Sequence, residues 1–229
     1  MSKADPGQVE PLPQESTPSM IASRVREAIA SGQIAPGSQL GEAAYASQLG
    51  VSRGPLREGL QRLTQEGLLI SIRNRGLFVI EMTPENVADM YLAREAVERT
   101  AAAQVHRLDP GSAAVDLLGI TADMARAAHA RDTAAFTNAD IAFHRTLVDA
   151  AQSPRLHRIH DTLLTETRMC IHALAATYTV PETRVGEHEA IARSFAEGDP
   201  AITDRLIVAH MQDAVERLSG TTTATGTIG

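Results

Sequence analysis

The chain has 229 residues, of which 43% are hydrophobic and 21% charged, and its formal charge is −7 with histidine neutral. That length holds two small domains with real cores. No apolar run approaches the ~20 residues that cross a bilayer, and the N-terminus lacks a basic-then-apolar leader, so a membrane partner is excluded and a cytoplasmic location expected.

The charge is unevenly spread: residues 18–80 sum to +3, residues 81–229 to −8 and residues 1–17 to −2. This asymmetry suits a nucleic-acid-reading head on an acidic body, with a second copy needed to double a modest +3. The single cysteine, Cys170, excludes an internal disulfide and is expected in the core.

Residues 1–17, rich in Pro, Gln, Glu and Ser, are expected to be a disordered tail. Ser19 to Ser31 reads as a helix with Ile21, Val25 and Ile29 on one stripe, and residues 33–39, with Pro36 and Gly37, as a turn. Leu40 to Gly50 reads as a shorter helix with Ala44 and Leu49 inward and Gly50 as its C-cap. Ser52 then caps a helix to Leu68 that tolerates Pro55 in its first turn and turns Leu56, Leu60, Leu63 and Leu68 to a core. Its other face carries Arg53 and Arg57, four apart. Helix, tight turn with Gly, then a helix opening on Arg is the helix-turn-helix pattern, in which the second helix lies in the major groove. Two β-prone runs, 69–72 and 77–80, flank Arg73, Asn74, Arg75 and Gly76 as a hairpin wing suited to phosphate or minor-groove contact. The expected DNA-contacting residues are Ser52, Arg53, Gly54, Arg57, Arg73, Asn74, Arg75 and Gly76.

The run LGVSRGPLREGLQRLTQEGL, followed by RNRGLFV, resembles the winged helix-turn-helix of the GntR family of bacterial transcription regulators. The resemblance implies binding of double-stranded operator DNA by residues 18–80. Gly54 and Ala43 depart from it, standing where the family usually has Thr and Arg.

From Thr83 and Pro84 onward the pattern is helical, with helices at about 84–107, 112–130, 133–151, 154–178, 182–197 and 200–218. Breaks fall at residues 109–111, 131–132, 153–154, 180–181 and 198–200. No strand or repeat pattern interrupts them. The expected fold class is therefore mainly α: a winged helix-turn-helix, then an all-α bundle over 81–218, then a frayed tail over 219–229.

Four polar residues fall on apolar stripes of that bundle. Asp140 and His144 lie among Phe136, Phe143, Leu147 and Ala151; His188 lies among Val185, Ile191 and Phe195; His210 lies among Leu206, Ile207, Met211, Ala214 and Leu218. Each would cost ~1–3 kcal/mol if buried without a partner. A divalent metal would satisfy all four together, and three imidazoles with one carboxylate suit Zn²⁺, Ni²⁺ or Mn²⁺. The alternative is a buried Asp–His hydrogen-bond network without metal. Arg94 shares a stripe with Val87, Tyr91 and Ala101, and either pairs with Glu98 or forks onto a carboxylate ligand. Arg168 and His172, also four apart, are candidates for a pocket wall, whereas His106, His129, His157 and His160 read as surface.

Asp-Ile-Ala-Phe-His at 140–144, Glu-His-Glu-Ala-Ile at 187–191 and His-Met at 210–211 resemble the FCD effector domain of the FadR subfamily. The resemblance implies that the Asp and the three His bind a metal that helps hold a small carboxylate effector. Gln152-Ser153 departs from it, standing where the family usually has Gly-Asn. The expectation is a homodimeric DNA-binding regulator that senses a small organic acid. The rivals are a metal-dependent hydrolase-like enzyme, since an open coordination position activates water, and a regulator whose metal is purely structural.

Overall fold

The computed structural model describes residues 15–173 and 182–222. The tail over 1–14, the helix end at 174–178, the break at 180–181 and residues 223–229 lie outside the described residues.

The head opens with α1 (Thr17–Ala30), two residues before its expected start, because the Ser16 hydroxyl accepts from the Ser19 N–H and Pro18 fits the first turn. The following turn ends in a two-residue strand, β1 (Gln39–Leu40), too short to show a period in the sequence. The helix-turn-helix is α2 (Glu42–Leu49) and α3 (Arg53–Gln65), joined through Gly50, whose φ of 65° is the left-handed conformation a helix C-cap needs. Within α2 the inward residue is Ala46, not Ala44, which is exposed. Leu68 reaches the core from beyond the end of α3, after Gly67 reverses the chain at φ 86°. The wing pairs β2 (Leu69–Ile72) with β3 (Gly76–Val79), and β1 adds to the far edge of β3, giving the antiparallel order β1-β3-β2.

Ile21, Val25 and Ile29 of α1 meet Leu56, Leu60 and Leu63 of α3 in the head core. At Gly59 the two helices approach closely: a Cβ there would lie 2.9 Å from both the Pro18 carbonyl oxygen and Ile21 Cγ2. Glu66, just past α3, clamps α1 by accepting from Arg26 at 2.7 and 3.1 Å.

The body consists of α4 (Pro84–Leu108), α5 (Pro110–Ala130), α6 (Thr133–Ala150), α7 (Pro154–Ala173), α8 (Glu182–Glu197) and α9 (Pro200–Thr222). Thr83, Asp109 and Asp132 cap the first three by accepting from a backbone N–H three residues on. Residues 219–222, expected in the tail, continue α9. Phe143, Leu147, Ile191, Phe195, Ile207 and Met211 pack with Val87 and Tyr91 in the body core. Cys170 joins them, and burial pushes its thiol up to about 12, the state of an inert core residue. One turn of α7 serves both cores, since its neighbour Met169 is buried in the head cluster. Among the described residues no helix is long and apolar enough to cross a membrane.

Gly59→Ala should force α1 off α3 and destabilise the head by about 1–3 kcal/mol, the usual cost of overpacking. Denaturant unfolding of the full chain checks this, with an unshifted midpoint counting against the close approach.

Candidate functional site

On the head, Arg53 is exposed in the first turn of α3, beside an N-cap, Ser52, whose hydroxyl makes no capping bond to the helix. Gly54 has nothing within 4 Å of a Cβ position, so the N-terminus of α3 is open to an approaching backbone. Arg57 is exposed but anchored, donating through Nε to Glu42 of α2 at 2.7 Å. At the wing tip Arg73, Asn74, Arg75 and Gly76 are all exposed. Asn74 and Gly76 take φ of 62° and 99°, and the Arg75 N–H closes the turn on the Ile72 carbonyl at 3.0 Å. The Arg75 guanidinium lies over the Phe78 ring at 5.2 Å.

In the body, His144 of α6, His188 of α8 and His210 of α9 are buried and converge. His144 Nε2 lies 3.2 Å from His188 Nε2 and 3.3 Å from His210 Nε2. Each ring is held from behind. His144 Nδ1 meets Glu98 Oε2 at 2.8 Å, His188 Nδ1 meets the Arg184 carbonyl at 2.7 Å, and His210 Nδ1 meets Glu187 Oε2 at 3.0 Å. Carboxylate and carbonyl oxygens only accept, so the hydrogen of each neutral ring sits on Nδ1 and each Nε2 turns a lone pair inward. Three lone pairs facing one another repel unless a cation lies among them. Their spacing fits one: metal–nitrogen bonds of about 2.0–2.1 Å at the tetrahedral angle put neighbouring nitrogens about 3.3–3.4 Å apart.

Asp140 stands at the margin of this triad. Its Oδ1 accepts from Arg184 Nη2 at 2.8 Å and lies 3.4 Å from His188 Nε2, outside the set of mutually close histidine nitrogens. Arg94 is buried and donates through Nε to Glu98 at 2.7 Å and through Nη1 to Thr167 at 3.4 Å, while its Nη2 is buried without a hydrogen-bond partner among the described residues. The pairing with Glu98 is thus present, and it leaves one guanidinium nitrogen unused among the described residues. Arg168 and His172 are not at the triad: they line a separate cleft of about 370 Å³ with Thr133, Thr137 and Asn138, at the start of α6. His172 is exposed there and reaches back toward Gly32 of the head.

His160 corrects the surface reading. It is 2% exposed and meets Glu98 Oε1 at 3.0 Å, because position 160 falls on the inward stripe with Leu156, Leu164 and Thr167. That spacing was available in the sequence. Glu98, Arg184 and Glu187 were missed as supports for the triad, since a hydrogen bond to the rear of a ring leaves no periodic signal.

Burial pushes the His144 imidazole down to about 3, with the Arg94 charge acting in the same direction. Burial also holds His210 well below its ordinary value, with His188 adding to it. Burial alone would raise Glu98, but His144 and Arg94 hold its carboxyl well below the usual range. Asp140 is likewise held low against its burial, chiefly by Arg184 and then His188. The site therefore combines the buried carboxylates of Glu98 and Asp140, the buried guanidinium groups of Arg94 and Arg184, and in His144 and His210 two imidazoles held neutral, the protonation state a metal requires.

A winged helix-turn-helix head on an all-α body with a convergent histidine site is the architecture of a DNA-binding regulator with a candidate metal centre in its second domain. The chain matches the bacterial regulatory proteins of the gntR family over residues 17–79 and the FCD domain over residues 89–213. It belongs to the GntR family of transcription regulators and carries an FCD domain. It is 29% identical to the probable D-xylose utilization operon transcriptional repressor of Paenarthrobacter nicotinovorans over 203 residues, 85% of this chain and 87% of that protein. It is 30% identical to the gluconate operon transcriptional repressor of Bacillus subtilis over 152 residues, 66% of this chain and 62% of that one. A crystal structure of a GntR regulator from Rhodococcus sp. RHA1 superposes with a TM-score of 0.74 at 26% identity, covering 90% of this chain and 99% of that one. Escherichia coli McbR/YncC shares the fold at a TM-score of 0.76 and 19% identity, over 90% of this chain and 99% of that one.

The metal-free protein should lose stability as pH falls. Unfolded histidines take up protons near pH 6.5, whereas folded His144 and His210 resist, so their contribution is full above about 6.5 and is lost as pH drops toward their lowered values. Glu166, which burial and then Asp89 raise to about 7, acts with the opposite sign between about 4.5 and 7 and offsets roughly one of the two protons. The remaining slope, on the order of 1 kcal/mol per pH unit, is read from denaturant midpoints between pH 6.5 and 5; a flat profile would mean that the rings charge in the folded state.

Proposed function

We propose that this regulator senses a small organic acid at a divalent cation held by His144, His188 and His210, with Asp140 moving from Arg184 to serve as a fourth ligand. The observation that carries the reading is the convergence of three ring lone pairs at metal-edge spacing. Such a donor set suits Zn²⁺, Ni²⁺ or Mn²⁺. The cation supplies a Lewis-acidic point for a carboxylate oxygen. Arg94 Nη2, buried without a hydrogen-bond partner among the described residues, supplies the second, directional contact. Relatives named for gluconate and L-lactate dehydrogenase operons are consistent with an acid, although one named for D-xylose utilization is not an acid regulator by name.

The head would read DNA through Arg53 and Arg57 on α3, with Ser52 and Gly54 at the helix start and residues 73–76 of the wing on phosphate or in the minor groove. A head of +3 offers little attraction alone, so the proposed working form is a homodimer, of FadR-subfamily type, on a pseudo-palindromic operator in the cytoplasm. Effector binding shifts the population of head arrangements, and one arrangement matches the operator. The near-complete burial of the triad favours a second reading, a purely structural metal. A thermal-shift screen of carboxylates with and without metal separates the two: a carboxylate shift that needs metal supports sensing, and a metal shift with no carboxylate response supports the structural role.

Arg53→Ala should cost about 1–3 kcal/mol of operator affinity if it reads a base bidentately, and should relax specificity there. Arg75→Ala should instead weaken binding to all sequences and lower the salt slope by about one unit. Fluorescence anisotropy at several salt concentrations distinguishes them, and unchanged affinity in a folded Arg53→Ala protein would remove it from the interface. His188→Ala should lose metal by elemental analysis while the head stays folded; retention of a full equivalent would count against the triad as the site.

A further inference from the structure

Glu98 is fully buried on α4, a helix that contributes none of the three histidines, yet its carboxylate is the meeting point of the site. Oε2 accepts from His144 Nδ1 at 2.8 Å; Oε1 accepts from Arg94 Nε at 2.7 Å and from His160 Nε2 at 3.0 Å. We infer that Glu98 is a positioning residue that sets metal affinity by fixing the tautomer and basicity of His144, and that it joins this ligand to Arg94 through one carboxylate. The inference rests on the reading of the triad as a cation site.

The three rear acceptors are not equivalent. The one behind His188 is a carbonyl four residues earlier in the same helix, and an uncharged oxygen polarises the ring weakly. The one behind His210, Glu187, is partly exposed, with its side chain at 25%, and is shared with Arg217. Water and a competing guanidinium both dilute its pull. Glu98 alone among them is a carboxylate sealed from water, where its field on the imidazole is least screened.

Removing that acceptor acts on ligation itself. Without it, the His144 hydrogen gains by moving to Nε2, where the nitrogens of His188 and His210 stand ready to accept at 3.2 and 3.3 Å. The resulting hydrogen bond fills the place of the cation. The donors on Oε1 matter for a different reason: Arg94 fixes the orientation of the carboxylate, and His160 ties the assembly to α7.

The test is Co²⁺ titration of the metal-stripped full chain, followed by visible absorption, which reports coordination geometry as well as occupancy. Wild type should bind an equimolar amount. In Glu98→Gln the amide oxygen is claimed by Arg94 and His160 and the NH2 faces His144, which must then accept through Nδ1 and carry its hydrogen on Nε2. This variant should therefore bind about 10–100-fold more weakly with a changed band shape. Glu187→Gln should weaken binding by less than Glu98→Gln. A folded Glu98→Gln protein with wild-type affinity and spectrum overturns the inference, whereas a wild-type chain that binds no Co²⁺ overturns the underlying cation site instead. If Glu98→Gln does not fold because Arg94 is left as a lone buried charge, the double variant Arg94→Met with Glu98→Leu removes both charges. Loss of affinity in that folded double variant supports the positioning role, and wild-type affinity overturns it.

Discussion

Three imidazole lone pairs pointing at one another inside a helical bundle are an unstable arrangement without a positive charge between them, and much of the body serves to hold it. The rings come from α6, α8 and α9, which meet only through tertiary packing. Phe143 stands edge-on to both His144 and His188 at centroid distances of 5.4 and 4.8 Å, so the apolar core fixes ring planes that hydrogen bonds alone would leave free to tilt. The rear acceptors decide which nitrogen faces inward. Burial then keeps His144 and His210 neutral, which in a metal-free protein opposes the protonation that would otherwise relieve the repulsion.

The head and the histidine pattern were legible in the sequence for the same reason: both are written in side-chain period. Leucines at helical spacing placed α3, and a polar residue breaking an apolar stripe placed Asp140, His144, His188 and His210 on the inward faces where they are found. What period does not encode was missed. The edge strand β1 has two residues and no period. Glu98 sits on an inward stripe, but its role depends on which atom faces which, and that is set by helix packing; the burial of His160, by contrast, is written in the period of α7. The stripe, the four-residue spacing to His144 and the FCD resemblance all point to Asp140 as a ligand, and the structure pairs it with Arg184, a residue on another helix whose approach no spacing predicts. Arg168 and His172 were grouped with the site because they lie four apart, yet α7 turns them toward the start of α6 instead.

The departure at Gln152 shows how a motif can change while its geometry stays. Where the resembling family usually has Gly, Gln152 adopts φ of 53°, the left-handed conformation that glycine reaches without steric cost. The turn after α6 is therefore kept, with its N–H bonded to the Asp149 carbonyl at 2.9 Å, and the strain is borne locally. His144 lies two turns earlier in the same helix and is undisturbed by it.

A signal from the histidine site has a short physical path to the head. Arg94 donates to Thr167 on α7, Thr167 also bonds the Leu163 carbonyl one turn back, and two residues on Met169 is buried in the head core. A helix is stiff over one turn, so on the proposed reading a guanidinium drawn toward an effector carboxylate would re-seat Thr167 and shift Met169 with it. Packed cores respond to such shifts by switching between arrangements rather than by yielding gradually, since side chains that interdigitate have few intermediate fits. The head core is small, and its α1 contact with α7 is a substantial part of what orients α3 relative to the body. On the proposed reading, the coupling of acid to DNA thus runs through α7, whose Met169 and Cys170 belong to different cores, and through Met82 in the loop joining the wing to α4, which packs against both.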